Sequence, residues 1–158
     1  MKSVNIIILA LSGAVFFTAC GGSQPAADSP TNATLKEPGA GGGVSDAKGK
    51  GKFTDVVLTH PLNDSMVHDG SNTFSVKCAP CHKLTEEKLG GPGWEGVTDR
   101  RTPEWIMNFL TNTDEMIDKD PAAQELLDKC MVRMPNQHLN DEAARSVLEF
   151  MRSNDGKK

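Results

Sequence analysis

The 158-residue chain has no tyrosine, only six phenylalanines and two tryptophans. Two of those phenylalanines, Phe16 and Phe17, fall near the N-terminus, so the rest of the chain has little aromatic surface from which to build a core. Small domains of this kind need a disulfide, a metal or another staple at their centre. Runs of alternating apolar and polar residues are also missing, apart from a short stretch, FTDVVL at 53–58, which argues against β and βαβ architectures. No apolar run reaches the roughly 20 residues of a comfortable membrane span. The net charge of −4 disfavours a nucleic-acid partner and leaves open a basic docking surface on a protein partner.

The N-terminus is where the chain is most apolar. Lys2 is followed by an apolar stretch from Ile6 to Phe17 and then by Thr18, Ala19 and Cys20. A charged start, an apolar middle and a small residue before the cut are the layout of a secretory signal, expected over residues 1–19. The sequence FTACGG resembles the lipobox of bacterial lipoproteins, with Phe17 in the place of the usual leucine; the resemblance implies that Cys20 becomes the acylated N-terminus of an exported, periplasm-facing, membrane-anchored protein. Residues 20–52 are rich in glycine and proline and contain no aromatic residue. Such a segment cannot offset its ordering entropy, so it is expected to be a flexible tether reaching about 30 Å. The folded domain is then expected over 53–158.

Within that domain the pattern is all-α. A first helix is expected from about Leu62 to Val76, with Met66, Val67, Gly70 and Phe74 on one side. Thr102 caps a second, with Pro103 in its first position. Asp120 and Pro121 open a third, running to about Cys130. Asn140 caps the last, whose inner stripe is Ala144, Val147, Leu148 and Met151.

The stretch SVKCAPCHKL at 75–84 holds two cysteines three apart with a histidine next to the second. A redox dithiol of the thioredoxin type wants a βαβ setting that this chain lacks. A structural zinc site wants a second ligand pair, and only Cys130 and His138 lie downstream. Haem attachment needs only what is present: two thiols spaced for two vinyl groups, and an imidazole next in line for the iron. One covalently held haem c is therefore the expected cofactor.

With these residues in view, the chain resembles the small class I c-type cytochromes over about Leu62 to Arg152, which implies the cytochrome c fold. Gly70 and Phe74 stand where that family places a small residue and an aromatic at the crossing of its first and last helices, and Phe150 resembles the aromatic they meet. GPGWEGV at 91–97 is similar to the family's GP-x-L-x-G-V segment, with Trp94 in place of leucine. By that resemblance the Pro92 carbonyl receives the proton on the ligating histidine's other ring nitrogen. Met134, followed by Pro135 and a capped helix, resembles the family's sixth ligand, with Met131 and His138 as rivals. The resemblance thus implies Cys78 and Cys81 as attachment points and His82 and Met134 as iron ligands. Arg100, Arg101 and Trp105 are read either as contacts of the haem propionates or as a loop-capping group. Cys130 reads as a small buried hydrophobe.

With both axial positions filled, no substrate reaches the metal, and one-electron exchange is what remains. The expected function is that of an electron carrier, not an enzyme. Its partners would be redox proteins such as a quinol-oxidising complex, a terminal oxidase or an anaerobic reductase. The alternative is a haem enzyme, a gas sensor or a reductase subunit with a labile sixth site.

Overall fold

The structure, a computed structural model, describes residues 46–158; the expected signal segment 1–19, Cys20 and the chain up to residue 45 lie outside the described residues. Among the described residues six α-helices follow one another: α1 Asp64–Thr73, α2 Val97–Arg100, α3 Pro103–Thr111, α4 Thr113–Lys119, α5 Pro121–Cys130 and α6 Asp141–Asn154. Their starts follow the capping chemistry. Asn63, Thr102, Asp120 and Asn140 each accept a hydrogen bond from the backbone N–H three residues on, satisfying one of the orphan donors of a first turn.

Three expectations need correction. The first helix begins two residues later than expected and does not continue as α-helix to Val76. It passes into a π-helical stretch, Phe74–Cys78, closed by Ala79 N–H donating to the Phe74 carbonyl at 2.9 Å. α4 was not anticipated: it follows α3 after Asn112 alone and turns Met116 and Ile117 inward, both buried. FTDVVL is not a strand. Phe53, Val56 and Leu58 pack against the core while Val57 is exposed, and its backbone N–H groups find side chains, with Phe53 donating to Asn108 at 3.0 Å and Val56 to Glu104 at 3.2 Å.

The domain also starts earlier than residue 53. Residues 46–52, which composition assigns to the tether, lie against α3 and α4. The Asn108 side-chain amide, buried within α3, donates to the carbonyls of Lys48 and Phe53, both at 2.9 Å, and the Thr102 hydroxyl donates to Ala47 at 2.8 Å. Gly49, with φ of 71°, approaches so closely that a Cβ there would lie 2.6 Å from the Met116 methyl carbon. Glycine here provides a positive φ and close contact, not slack.

The scaffold turns on the crossing of α1 and α6. Gly70 is buried, and a Cβ on it would stand 2.1 Å from the Ser146 carbonyl oxygen, so only glycine lets the two backbones meet. Phe74 sits one turn further on, its ring 5.6 Å from that of Phe150 and 4.8 Å from that of Trp94. Ala144, Val147, Leu148 and Met151 form the buried stripe of α6, each larger side chain contributing about 1.5–3 kcal/mol of apolar burial.

α6 also carries a buried charge. Glu149 is fully buried and its carboxylate is surrounded by donors: the Thr59 hydroxyl at 2.6 Å, the Asn63 N–H at 3.1 Å, Arg145 at 2.6 Å and Arg152 at 2.8 Å. Burial alone would raise its pKa. The four donors outweigh that and pull it down to about 2, as expected for a carboxylate that accepts several bonds. The group ties the segment entering α1 to the last helix.

Candidate functional site: a histidine–thioether cleft

The π-helical end of α1 delivers the Cys78–Cys81–His82 triplet. A turn follows at once, with Cys81 and His82 N–H both donating to the Cys78 carbonyl, at 3.0 and 2.9 Å. Cys78 is buried, whereas Cys81 is exposed. Burial pushes the Cys78 thiol up to about 11, against a smaller downward pull from Lys77, so as a free thiol it would stay neutral.

The chain after His82 doubles back onto it. Gly91 N–H donates to the Cys81 carbonyl at 2.7 Å and Trp94 N–H to Lys83 at 2.9 Å. His82 Nδ1 lies 2.9 Å from the Pro92 carbonyl oxygen. Since that oxygen only accepts, Nδ1 carries the proton and Nε2 keeps its lone pair. Gly91 covers the ring closely: a Cβ there would stand 2.3 Å from Cε1. The ring is also 5.6 Å from Trp94. Burial pulls the His82 pKa below its usual value, with the Pro92 bond opposing, which favours the neutral imidazole that metals bind.

His82 opens on a cleft with a cavity volume of about 180 Å³, open to solvent along one part of its rim. One wall holds Cys81, His82 and Pro92; α3 supplies Trp105, Ile106, Phe109 and Leu110; α5 supplies Leu126, Leu127 and Cys130. Val132, Met134 and Pro135 complete the lining. The two rivals of Met134 stand elsewhere. Met131 caps α5 in the left-handed conformation, 84% exposed, and His138 is exposed in the loop before α6; neither lines the cleft.

This donor set suits an iron porphyrin. A pre-oriented neutral imidazole and a soft thioether line one apolar slot, with Cys81 in the lining and Cys78, close to it in sequence, buried in the core. The alternative of a zinc site finds no support among the described residues, which contain no cluster of three or more histidine, cysteine or acidic side chains able to hold a metal ion.

The residues left with two readings now have definite neighbours. Arg100 braces the loop before α2, donating to the carbonyls of Glu95 at 2.5 Å and Gly93 at 3.4 Å. The Trp105 indole N–H is taken by Asp120, at 3.0 Å, so it has no donor to offer the cleft. The Arg101 guanidinium stacks over the Trp105 ring at 4.8 Å. Cys130 is half-buried and lines the cleft, not the core.

Sequence reasoning missed the second role of Asp120. Its cap position was legible from the Asp-Pro pair, but its bond to Trp105 spans 15 residues and leaves no local signal. It also missed Glu149, whose partners Thr59 and Asn63 are 90 and 86 positions away.

The family model for Cytochrome c matches residues 67–155. Among solved structures, the cytochrome c from Rhodothermus marinus is 31% identical, with a TM-score of 0.64 over 67% of this chain and 90% of its own. An engineered form of that protein, Rma TDE, is 30% identical with a TM-score of 0.64, over 68% of this chain and 92% of its own. The same engineered protein bound to a carbene intermediate gives 30% and 0.61, over 68% and 92%. No curated protein matches the chain.

Proposed function

The chain belongs to the cytochrome c family, whose members hold haem c covalently and transfer electrons, and from that premise we propose that it is a membrane-tethered monohaem carrier with a His82/Met134 iron. The observation that supports this reading best is that one cleft is lined both by His82, its Nδ1 2.9 Å from the Pro92 carbonyl, and by Met134.

When bound, haem c supplies a one-electron ferric–ferrous couple. The chain does the rest. Cys78 and Cys81 provide the thioether attachments. The Pro92 carbonyl holds the Nδ1 proton, so that the imidazole presents Nε2 in a fixed orientation, and Gly91 keeps the ring from turning. Met134 offers a thioether that favours reduced iron and raises the potential. Phe109, Leu110, Leu126 and Leu127 exclude water. Exposed Cys81 and half-exposed Val132 mark the edge where a redox partner would make its brief contact.

The anchoring rests on the sequence. A lipid on Cys20 would hold the protein at a bacterial membrane, facing the periplasm, with residues 21–45 as the tether. Respiratory complexes or reductases are the partners this arrangement suits.

The purified protein should show a low-spin six-coordinate spectrum with the weak near-infrared methionine-to-iron band. Met134→Ala should abolish the band. Its persistence in that variant removes Met134 from the iron, and a high-spin ferric spectrum in the parent turns the reading toward an enzyme or sensor with an open sixth site.

A further inference from the structure

His82 owes its orientation to the Pro92 carbonyl, and that carbonyl is only as well placed as the loop that carries it. Proline has no N–H with which to anchor its own backbone. Between Cys78 and Val97 the chain forms no helix, so no helical ladder holds this stretch in place. Something else must fix it.

The end of α6 reaches the loop on both sides of Pro92. Before it, the Asn154 side-chain amide donates to the Leu84 carbonyl at 3.0 Å. Beyond it, the Asp155 carboxylate accepts three bonds: from the Gly96 N–H at 2.7 Å, the Thr98 N–H at 2.8 Å and the Thr98 hydroxyl at 2.6 Å. α2 starts at Gly96, with φ of 68° and no side-chain oxygen to cap the helix; a carboxylate 59 positions away supplies that cap. Bonds to an ionised acceptor are the short, strong kind. The neighbouring pair of Lys157 with Asp99, at 2.5 Å, is partly exposed and weakened by solvent. α6 is itself held at the Gly70 crossing and through Glu149, so the loop is referenced to the corner. Gly96, Thr98, Asn154 and Asp155 do not line the cleft, and a guest there does not compete for their bonds.

The partner of a ligating histidine's second nitrogen sets how much electron density the ring gives the metal. A firm Nδ1–H bond to Pro92 makes the imidazole more anionic and favours ferric iron; a loosened one favours ferrous iron and raises the potential. We propose that Asp155 is a positioning residue for the iron ligand: by fixing Gly96 and Thr98 it keeps the Pro92 carbonyl on His82 Nδ1 and so holds the reduction potential down. The effect on potential rests on the electron-carrier reading; the effect on the His82–Pro92 bond needs only a ligated His82.

The test reads two quantities in the haem-loaded protein: the midpoint potential, and the solvent exchange rate of the His82 Nδ1 proton by NMR of the low-spin ferrous form. Asp155→Ala should speed exchange about tenfold or more, the scale of losing charge-assisted bonds, and should move the midpoint upward. Thr98→Val removes one of the three bonds without changing charge, and should move both readouts the same way by a few-fold less. Asp99→Asn removes a neighbouring negative charge but none of the three bonds, and should leave both as in the parent. Exchange as in the parent in Asp155→Ala and Thr98→Val overturns the proposal, even if their melting temperatures fall. A midpoint shift of the same size in Asp99→Asn, without faster exchange, overturns it in favour of charge alone. Faster exchange with an unmoved midpoint overturns the control of potential. A high-spin ferric spectrum in the parent would instead refute the carrier reading; exchange is then read in the low-spin ferrous carbon monoxide complex, so the two failures give different results.

Discussion

The α1–α6 corner and the cleft wall are stabilised in opposite ways. At the corner the backbones meet at Gly70, aromatic rings interlock, and a buried carboxylate has four donors. The cleft is lined instead by His82 and the loop that follows it, by α3 and α5, and by the stretch between α5 and α6. The only buried side-chain polar atom without a partner among the described residues, Asp120 Oδ2, belongs to this side, where α5 starts. The corner holds itself closed with protein contacts alone. The cleft wall, although it carries Trp94, Trp105 and Phe109, depends on a guest to fill it.

Removing the guest should therefore divide the two regions. Cys78→Ala/Cys81→Ala leaves no thiol for attachment, and in a domain this small the loss of the central staple is expected to abolish cooperative unfolding. Circular dichroism should retain much of the helix signal, and hydrogen exchange should be fast in α3, α5 and the 131–139 stretch while α1 and α6 keep more protection. Uniform loss of protection would show that the corner has no stability of its own.

Glu149→Gln attacks the corner from within. It leaves Arg152 and Arg145 beside a neutral amide, and breaking a buried pair in this way costs about 3–5 kcal/mol. The pH dependence of stability probes the same group through its protonation. The folded pKa, near 2, lies below the ordinary value of 4.5, so the stabilisation is complete above about 4.5 and is lost as pH falls toward 2. The shift corresponds to about 3 kcal/mol. Thermal melts of the haem-loaded parent should decline through that window, and those of Glu149→Gln should decline less. Parallel curves would mean that other carboxylates account for the acid sensitivity.

Gly70→Ala should act at the same corner with a smaller effect. The added methyl meets the Ser146 carbonyl, and the helices must separate, at about 1–3 kcal/mol. A denaturant midpoint within error of the parent would show that the crossing yields freely.

These positions differ in how far sequence alone reveals them. Gly70, Phe74 and Phe150 were legible because helical spacing and a family pattern coincide there, and the caps at Thr102, Asp120 and Asn140 are local chemistry. α4 was hidden because Asn112 serves at once as the end of α3 and the start of α4, leaving no linker to signal a new element. The 46–52 stretch misled for a physical reason: glycine enrichment describes both a slack tether and a segment pressed against Met116 and Asn108. The Glu149 group could not be read at all, because hydrogen bonds across 86 and 90 residues leave no periodicity.

Met131→Ala is the smallest expected effect and the sharpest comparison within the cleft region itself. Met131 and Met134 are three residues apart, a separation that composition cannot rank. α5 ends by turning Met131 into the left-handed conformation, where it stays 84% exposed, and only beyond that reversal does the chain bring Met134 to the cleft. An exposed side chain without buried partners contributes within about ±0.5 kcal/mol. Replacing it should therefore leave the melting temperature and the near-infrared band as in the parent. Loss of the band in Met131→Ala, with the band retained in Met134→Ala, would mean that the α5 cap rearranges around the haem and that the wrong methionine faces the iron.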